Sequence, residues 1–216
     1  PNSKLIVEPG LRINTFTAHD QSFYPDFRFG MKYILNSSQF INLAVGNYHQ
    51  FIETFQDDYN PPFLDNWVAI DNSVDPAMST QYVLGYEQYI GRKYKLQVEG
   101  YYKDIKNLLT FEETRASTDG QLPSENLSDL LKTADGYAYG LEIFGQKTAG
   151  KLTGWLAYTW SVSRKRMNGN EYFTNWDRSH VFNVLGSYQA NKKYELNWKW
   201  TLQSGQAYTP INGYFM

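Results

Sequence analysis

The residues most able to do chemistry in this sequence are its three histidines, His19, His49 and His180. No two of them have a spacing such as H-x3-H, which would bring two imidazoles onto one metal ion. The chain contains no cysteine and no G-x-S-x-G motif, which excludes a thiolate metal site and a nucleophile elbow. We therefore predict structural hydrogen bonding for the histidines, with no catalytic residue, no metal and no cofactor. A hydrolase that uses His49 or His180 is left open as an alternative.

Three long polar segments, 53–77, 112–135 and 164–179, contain aromatic and charged residues that could hold a ligand. The first is acidic but lacks the D-x-D-x-D-G pattern of a calcium loop, so a solvated loop is favoured there over a metal site. Aromatic rings with polar tips suit a sugar or a planar chelate, although they also serve as packing or interface anchors. The predicted ligand-binding residues in these segments are Trp67, Asp65, Tyr172, Trp176 and Arg178.

These segments must be held by the elements between them, of which 194–203 is the clearest. At period two, one row of this stretch is fully apolar and the other is fully polar, which predicts a β-strand. The apolar row is Tyr194, Leu196, Trp198, Trp200 and Leu202, and the polar row is Glu195, Asn197, Lys199, Thr201 and Gln203. An apolar outer face and a charged inner face suit the wall of a lipid-embedded barrel with a water-filled interior.

About nine stretches are strand-like, so the predicted fold class is all-β, with an antiparallel up-and-down sheet. The stretches are 5–15, 26–35, 39–51, 79–89, 94–111, 136–146, 152–163, 180–189 and 194–203. The facing of 39–51 is left open because two rows compete for the apolar face. One row holds Ile41, Leu43 and Val45, and the other holds Phe40, Ala44 and Tyr48. Between the strands, one or two helical turns are predicted over 124–132 from the spacing of the leucines.

The connections alternate between long and short along the chain, as they do in transmembrane barrels that carry their long loops at one end. Aromatic residues make up 17% of the chain, which suits aromatic girdles at two bilayer interfaces. The assigned apolar rows carry no Lys, Arg, Asp or Glu, as a lipid face requires. The predicted lipid-facing residues are Leu196, Trp198, Trp200, Leu202, Leu156, Tyr158 and Trp160. A soluble sandwich, in which these rows pack sheet against sheet, is the alternative.

Short motifs along nearly the whole chain carry a family resemblance. They include Pro9-Gly10-Leu11-Arg12, Tyr82-Val83-Leu84-Gly85-Tyr86-Glu87, Tyr139-Gly140-Leu141-Glu142, Trp176-Asp177-Arg178-Ser179-His180 and Ser204-Gly205-Gln206-Ala207-Tyr208-Thr209. In this order and spacing they resemble the barrel of TonB-dependent outer-membrane receptors of Bacteroidetes-like bacteria. The resemblance implies a barrel of about 22 strands. Residues 1–216 would be a partial barrel, an internal fragment from which the plug domain and the remaining strands are absent.

The resemblance further implies a transport receptor, not an enzyme, in the bacterial cell outer membrane. It would import a scarce nutrient, such as a metal chelate, cobalamin or a glycan, with energy derived from TonB. The implied partners are the lipid bilayer of the outer membrane, the TonB complex acting through the plug, the small nutrient and a surface lipoprotein. A formal net charge of -2 and the lack of a basic-aromatic pattern predict no nucleic-acid partner. A barrel that serves as an adhesin or scaffold for a partner protein is the alternative from another class.

Overall fold

A computed structural model of the chain describes residues 4–20, 23–55, 66–70, 72, 74–111, 131–174, 176–205 and 207. The regular elements of this described part are twelve β-strands. They are β1 (Leu5–Thr15), β2 (Phe23–Asn36), β3 (Gln39–Gln50), β4 (Ile52–Phe55), β5 (Asn66–Ala69), β6 (Ala77–Ile90), β7 (Tyr94–Phe111), β8 (Leu131–Lys147), β9 (Leu152–Met167), β10 (Asn170–Phe173), β11 (His180–Gln189) and β12 (Glu195–Gln203). Among the described residues, no helix is both long and apolar enough to cross a membrane.

Nine long strands form one antiparallel sheet in which each strand lies beside the next long strand of the chain. The order is β1-β2-β3-β6-β7-β8-β9-β11-β12, and the short β10 pairs with β9 outside this path. The short strands β4 and β5 pair with each other in a separate sheet. The predicted all-β, antiparallel up-and-down fold is therefore confirmed. Within the described residues the sheet does not close on itself, so β1 and β12 are its two edges.

The strand bounds follow the sequence pattern, with a few differences. β8 begins at Leu131, where a loop up to 135 was predicted, because its first residues pair with the end of β7. The helical turns predicted over 124–132 are wrong at 131–132, which are extended, and 124–130 lie outside the described residues. β4, β5 and β10 lie in segments predicted to be loops, since a strand of four residues is too short to show alternation.

Register decides which residues share a face, because residues directly opposite each other in an antiparallel pair point to the same side. In β3, Leu43 lies opposite Met31 of β2 and Leu84 of β6. The row of Ile41, Leu43 and Val45 therefore belongs to the apolar face, and the competing row belongs to the polar face. The facing that the sequence left open is decided by the two neighbouring strands.

Two register rows cross all nine long strands, one residue apart. The apolar row is Leu5, Tyr33, Ile41, Tyr86, Val98, Ile143, Tyr158, Phe182 and Leu202. The polar row is Ile6, Lys32, Asn42, Gly85, Glu99, Glu142, Thr159, Val181 and Gln203. The alternation seen in single strands is thus continuous across the whole sheet.

The sheet has no central core among the described residues. Large apolar side chains on it are exposed, including Leu84 at 59% and Leu202 at 57%. The buried apolar residues of the described part include Tyr24, Ile70, Ala77 and Ala134. These four lie near the long connections, while the middle of the sheet is covered on neither face. The sandwich alternative needs a second layer, and the described residues do not supply one.

Candidate functional site

The end of the sheet that carries the long connections, here called the rim, brings β1, β2 and β3 together around a buried carboxylate. Asp26 of β2 is 1% exposed. Its Oδ1 lies 2.7 Å from Nδ1 of His49, and its Oδ2 accepts a hydrogen bond of 2.7 Å from Nδ2 of Asn14. Asn14 also donates to the main-chain oxygen of Tyr24, at 3.2 Å. These partners satisfy a carboxylate whose burial alone would be costly. We call these four residues the Asp26 cluster.

Aromatic rings surround the Asp26 cluster. The ring centre of Tyr24 lies 4.9 Å from that of Phe51 and 5.3 Å from that of His49. Phe16 stacks on Phe51 at 5.0 Å, and the Tyr24 hydroxyl lies 2.7 Å from Nδ1 of His19. The rings exclude water from the cluster and fix the turn after β1 against the end of β3.

His49 and His180 have partners that suit hydrogen bonding better than hydrolysis. His49 is held by Asp26, and Nδ1 of His180 lies 2.8 Å from the Tyr158 hydroxyl. Among the described residues, no Ser or Thr hydroxyl hydrogen-bonds to either imidazole, so a hydrolytic triad would lack its nucleophile there. The same part of the chain contains no group of three or more His, Cys, Asp or Glu residues that could hold a metal ion. The geometry favours the structural role predicted for these histidines.

A second buried carboxylate, Asp177, fastens the loop after β10 to β9. It is 6% exposed and accepts hydrogen bonds from the Ser163 N–H at 2.8 Å and from Nη1 of Arg164 at 3.1 Å. The Arg164 guanidinium also lies 3.8 Å from the ring centre of Phe173. The N–H of Asp177 donates to the main-chain oxygen of Thr174 at 3.0 Å. Both the side chain and the backbone of Asp177 therefore hold the loop after β10 in place.

The hairpin of β9 and β10 carries rim residues that the sequence analysis did not single out. Asn168 and Gly169 turn the chain with positive φ angles of 52° and 77°, as a two-residue hairpin turn requires. The Arg166 guanidinium lies 4.5 Å from the ring centre of Tyr137, and both side chains hydrogen-bond to Glu171, at 3.4 and 2.9 Å. The signal that could have predicted this hairpin is the Asn168-Gly169 pair within the segment 164–179, because Asn-Gly between two strands favours a two-residue turn.

Glu53 of β4 is a buried carboxylate with an incomplete set of hydrogen bonds among the described residues. It is 5% exposed, and its Oε2 accepts a hydrogen bond of 3.0 Å from the Leu109 N–H of β7. Its Oε1 has no partner in that part of the chain. Burial raises the pKa of Glu53 above the ordinary range of a glutamate, while the hydrogen bond from Leu109 opposes this effect. Glu53 connects the small sheet of β4 and β5 to the main sheet.

The predicted ligand-binding residues lie in the long connections, but the structure does not join them into one site. Trp67 on β5, Tyr172 on β10 and Trp176 in the following loop are 70%, 44% and 61% exposed. Arg178 is half-buried, and its main-chain oxygen accepts a hydrogen bond from β9. Among the described residues, no ring contact connects Trp67 with Tyr172 or Trp176. Asp65 lies outside the described residues.

The residues predicted to face lipid lie together on the apolar face of β9 and β12. β11 connects the two sets, because Val184 lies opposite both Leu156 and Trp200, and Phe182 lies opposite both Tyr158 and Leu202. The remaining members of the set are Trp160, Leu196 and Trp198. Leu196 is 63% exposed and Trp200 is 54% exposed, so the apolar face is open where it was expected to be. Contact with lipid itself stays a prediction.

Known proteins with β-barrel folds are similar to this chain. The family model described as TonB dependent receptor-like, beta-barrel, matches residues 1–216. Among curated proteins, none matches this sequence. A chain in the solved complex of FpvAI with pyocin S2 is similar, with a TM-score of 0.62 and 14% identity over 88% of this chain. The alcaligin outer-membrane receptor FauA of Bordetella pertussis is similar with a TM-score of 0.57 and 13% identity over 85% of this chain.

These solved structures are much longer than the present chain, which spans 25% of the first and 30% of the second. At such low identities the structural likeness shows the fold alone. The family model, by contrast, matches the sequence from its first residue to its last. The chain therefore belongs to the TonB-dependent receptor-like β-barrel family.

Proposed function

We propose that this chain forms part of the wall of an outer-membrane active-transport receptor that imports a scarce nutrient with TonB-derived energy. The observation that carries the proposal is the apolar row, which crosses nine strands without a charge while the polar row runs beside it on the other face. In a barrel wall the first face meets lipid and the second meets water. The family match supports a place in the outer membrane of a Gram-negative bacterium.

The orientation follows from the connections. In outer-membrane barrels the long loops lie outside the cell and the short turns lie in the periplasm. The rim, with the Asp26 cluster and the Asp177 network, would then be the outer end of the barrel. The Asp26 cluster joins the ends of three strands and Asp177 holds the loop after β10 against β9, which would keep the outer vestibule in one shape.

The nutrient would be a metal chelate, cobalamin or a glycan, and sugars and planar chelates offer ring surfaces to aromatic side chains. The exposed Trp67, Tyr172 and Trp176 supply such surfaces at the rim, with Asp65 and Arg178 as the charged members of the set. The plug and the TonB complex would act through parts of the receptor outside residues 1–216. A surface lipoprotein partner has no support among the described residues or in the comparisons.

Nutrient uptake by cells tests the proposal. The gene for the full-length protein is deleted and then restored, and cells are given limiting amounts of a metal chelate, cobalamin or a glycan in turn. We expect growth on one of these classes to fail in the deletion strain, to return with the restored gene, and to fail again when TonB is removed. Normal growth of the deletion strain on all three classes, or uptake that does not need TonB, would overturn the proposal.

Two variants test whether the rim residues contribute to uptake more than residues elsewhere in the barrel. Tyr172→Ala combined with Trp176→Ala should lower uptake of the nutrient identified above, because it removes two exposed rings from the rim. Tyr89→Ala is the matched control, since Tyr89 is 41% exposed at the opposite end of the sheet. Equal uptake by the two variants would mean that these rim residues do not contact the nutrient.

A further inference from the structure

The turns at the end of the sheet opposite the rim, here called the short-turn end, are basic. They comprise residues 37–38, 91–93, 148–151 and 190–194. The charged residues of these turns are Arg92, Lys93, Lys151, Lys192 and Lys193, and Lys147 ends the strand before the third turn. No Asp or Glu occurs in any of the four turns. The short-turn end therefore presents positive charge to its surroundings.

The cations at the two ends of the sheet differ in their pairing. At the rim, Arg164 is bound by Asp177 at 3.1 Å and Arg166 by Glu171 at 3.4 Å. Within the part of the chain that the structure describes, none of the six cations of the short-turn end has a carboxylate at ion-pair distance. Lys147 and Lys193 lie over the rings of Tyr94 and Tyr194, at 5.8 and 5.5 Å. The positive charge of this end, with no carboxylate to neutralise it there, is thus available to an external anion.

Between the last two short turns lies a shallow depression of about 600 Å³ that is open to its surroundings, here called the basic cleft. Its lining residues are Lys151, Gln189, Ala190, Asn191 and Lys192. The Gln189 N–H donates to the main-chain oxygen of Lys151 at 2.7 Å, which holds the two turns side by side. Oδ1 of Asn191 accepts hydrogen bonds of 2.8 and 3.0 Å from two main-chain N–H groups of its own turn. The cleft is built on a backbone that these bonds make rigid.

The apolar face begins one residue from the basic cleft, while the Gln189 side chain itself lies on the polar face, opposite Glu195. Tyr188, the neighbour of Gln189, lies opposite Leu152 of β9 and Leu196 of β12. These three side chains are 42%, 44% and 63% exposed. Cations next to an exposed tyrosine and leucine surface match the two parts of an amphipathic lipid, since tyrosine suits the membrane interface and Lys suits anionic head groups.

From this arrangement we propose that the basic cleft binds the phosphate of an anionic phospholipid whose acyl chain lies on Leu152, Tyr188 and Leu196. A free phosphate would use the lysines alone and would leave the adjoining apolar surface uncovered, so the occupant is a lipid of the leaflet at the short-turn end. The inference rests on the proposed function, because it needs a bilayer around the apolar face. Such a lipid would fix the depth of the barrel wall in the membrane.

Native mass spectrometry of the full-length protein in detergent tests this site, with phosphatidylglycerol or phosphatidylcholine of equal acyl length added. The cleft variant is Lys151→Gln combined with Lys192→Gln. The control variant, Lys103→Gln combined with Lys199→Gln, removes the same charge from the polar face. A cation near an anionic membrane surface contributes about fivefold in affinity, so we expect phosphatidylglycerol to bind about 25-fold more weakly to the cleft variant. The control variant should bind phosphatidylglycerol as the wild type does, and both variants should bind phosphatidylcholine as the wild type does.

Equal binding of phosphatidylglycerol to the wild type and the cleft variant would overturn the site, and so would an equal loss in the control variant. If inorganic phosphate displaces phosphatidylglycerol when both are present at the same concentration, the cleft is a site for free anions and the proposed lipid site is wrong. Insertion into phosphatidylcholine vesicles, followed by gel mobility before and after heating, separates the two proposals. Protein that inserts but has no preference for phosphatidylglycerol refutes the lipid site alone, whereas protein that inserts into no vesicle refutes the proposed membrane function.

Discussion

The apolar row and the polar row lie one residue apart on the same nine strands, yet they suit different surroundings. The apolar row contains no charge, and its members Leu5 and Leu202 are 48% and 57% exposed. The polar row contains Lys32, Glu99 and Glu142 at equivalent heights on the opposite face. A soluble protein would bury the first row in a core. Under the proposed function this difference has a simple reason, since the sheet would separate two solvents, lipid on one side and water on the other.

The polar row also depends on its solvent. Glu99 of β7 lies directly opposite Glu142 of β8, and like charges in this position repel each other. Water and dissolved ions screen such repulsion strongly, whereas a low-dielectric medium does not. Exchanging the environments of the two faces would therefore be unfavourable for both. The assignment of the two faces to different environments can be tested by placing a charge on the apolar face.

The largest effect is expected from Ile143→Arg, which places a charge in the apolar row on β8, an interior strand of the sheet. An arginine at mid-depth on a lipid face costs about 2 to 4 kcal/mol, so the full-length protein should unfold from vesicles at clearly lower urea concentration. Glu142→Arg, one residue away on the polar face, is the matched control. It should leave the unfolding midpoint nearly unchanged, because it also relieves the repulsion with Glu99. Equal losses in the two variants would refute the assignment of lipid and water to the two faces.

A smaller effect is expected from glycines that lie under aromatic rings, one on each face. On the apolar face, a Cβ added to Gly186 would overlap the ring of Trp198. Gly186→Ala should therefore cost about 1 to 3 kcal/mol through overpacking. Because the obstacle is a side chain, Trp198→Leu should recover part of that cost. A double-mutant cycle of unfolding free energies measures the recovery.

On the polar face, Gly140 lies under Tyr101, but its surroundings differ. A Cβ there would lie 2.5 Å from the main-chain oxygen of Trp160 and 2.8 Å from the Tyr101 hydroxyl. Gly140→Ala should also destabilise the sheet, and Tyr101→Ala should not rescue it, because the nearest obstacle is backbone. Rescue of Gly140→Ala by Tyr101→Ala would show that the two glycines are equivalent.

The smallest effect concerns Glu53, a carboxylate at the rim that is kept from water. The pKa of Glu53 is raised in the folded protein, so its ionised form destabilises the folded rim. This destabilisation is present at pH values above the raised pKa and is lost as the pH falls through it. We expect the Leu109 amide to exchange with solvent more slowly at pH 5 than at pH 8, after correction for the intrinsic rate. Glu53→Gln should remove this difference. The same pH dependence in both proteins would assign it to another group.

Much of the sheet could be predicted from the sequence because its signal is local. β1 and β11 have the predicted bounds, and the complete alternation of β12 identified a two-faced strand without any knowledge of its partners. A period of two residues is a property of a single extended chain, so it can be read before any pairing is known. The family motifs are local in the same sense.

The rim could be predicted far less well, because its contacts join distant parts of the chain. Asp26 meets His49 across two strands, and Glu53 accepts a hydrogen bond from Leu109, 56 residues away. The sequence suggested aromatic ligand residues at the rim, and its motif at 176–180 indicated a network around Asp177 that anchors the loop. It did not identify the Asp26 cluster. Side chains that are far apart in sequence carry no periodic signal of their meeting.

The sequence by itself determined the strand content, the two-faced character of most strands and the family. Alternation and short motifs depend only on residues that are close together in the sequence. Only the tertiary structure decided the facing of β3, where two apolar rows compete until register with Met31 and Leu84 selects one. It also decided that Arg164 and Arg166 at the rim have carboxylate partners, whereas the short-turn cations have none among the residues that the structure describes. The physical reason is the same in each case, since pairing between strands is a non-local choice among arrangements that local sequence leaves equally open.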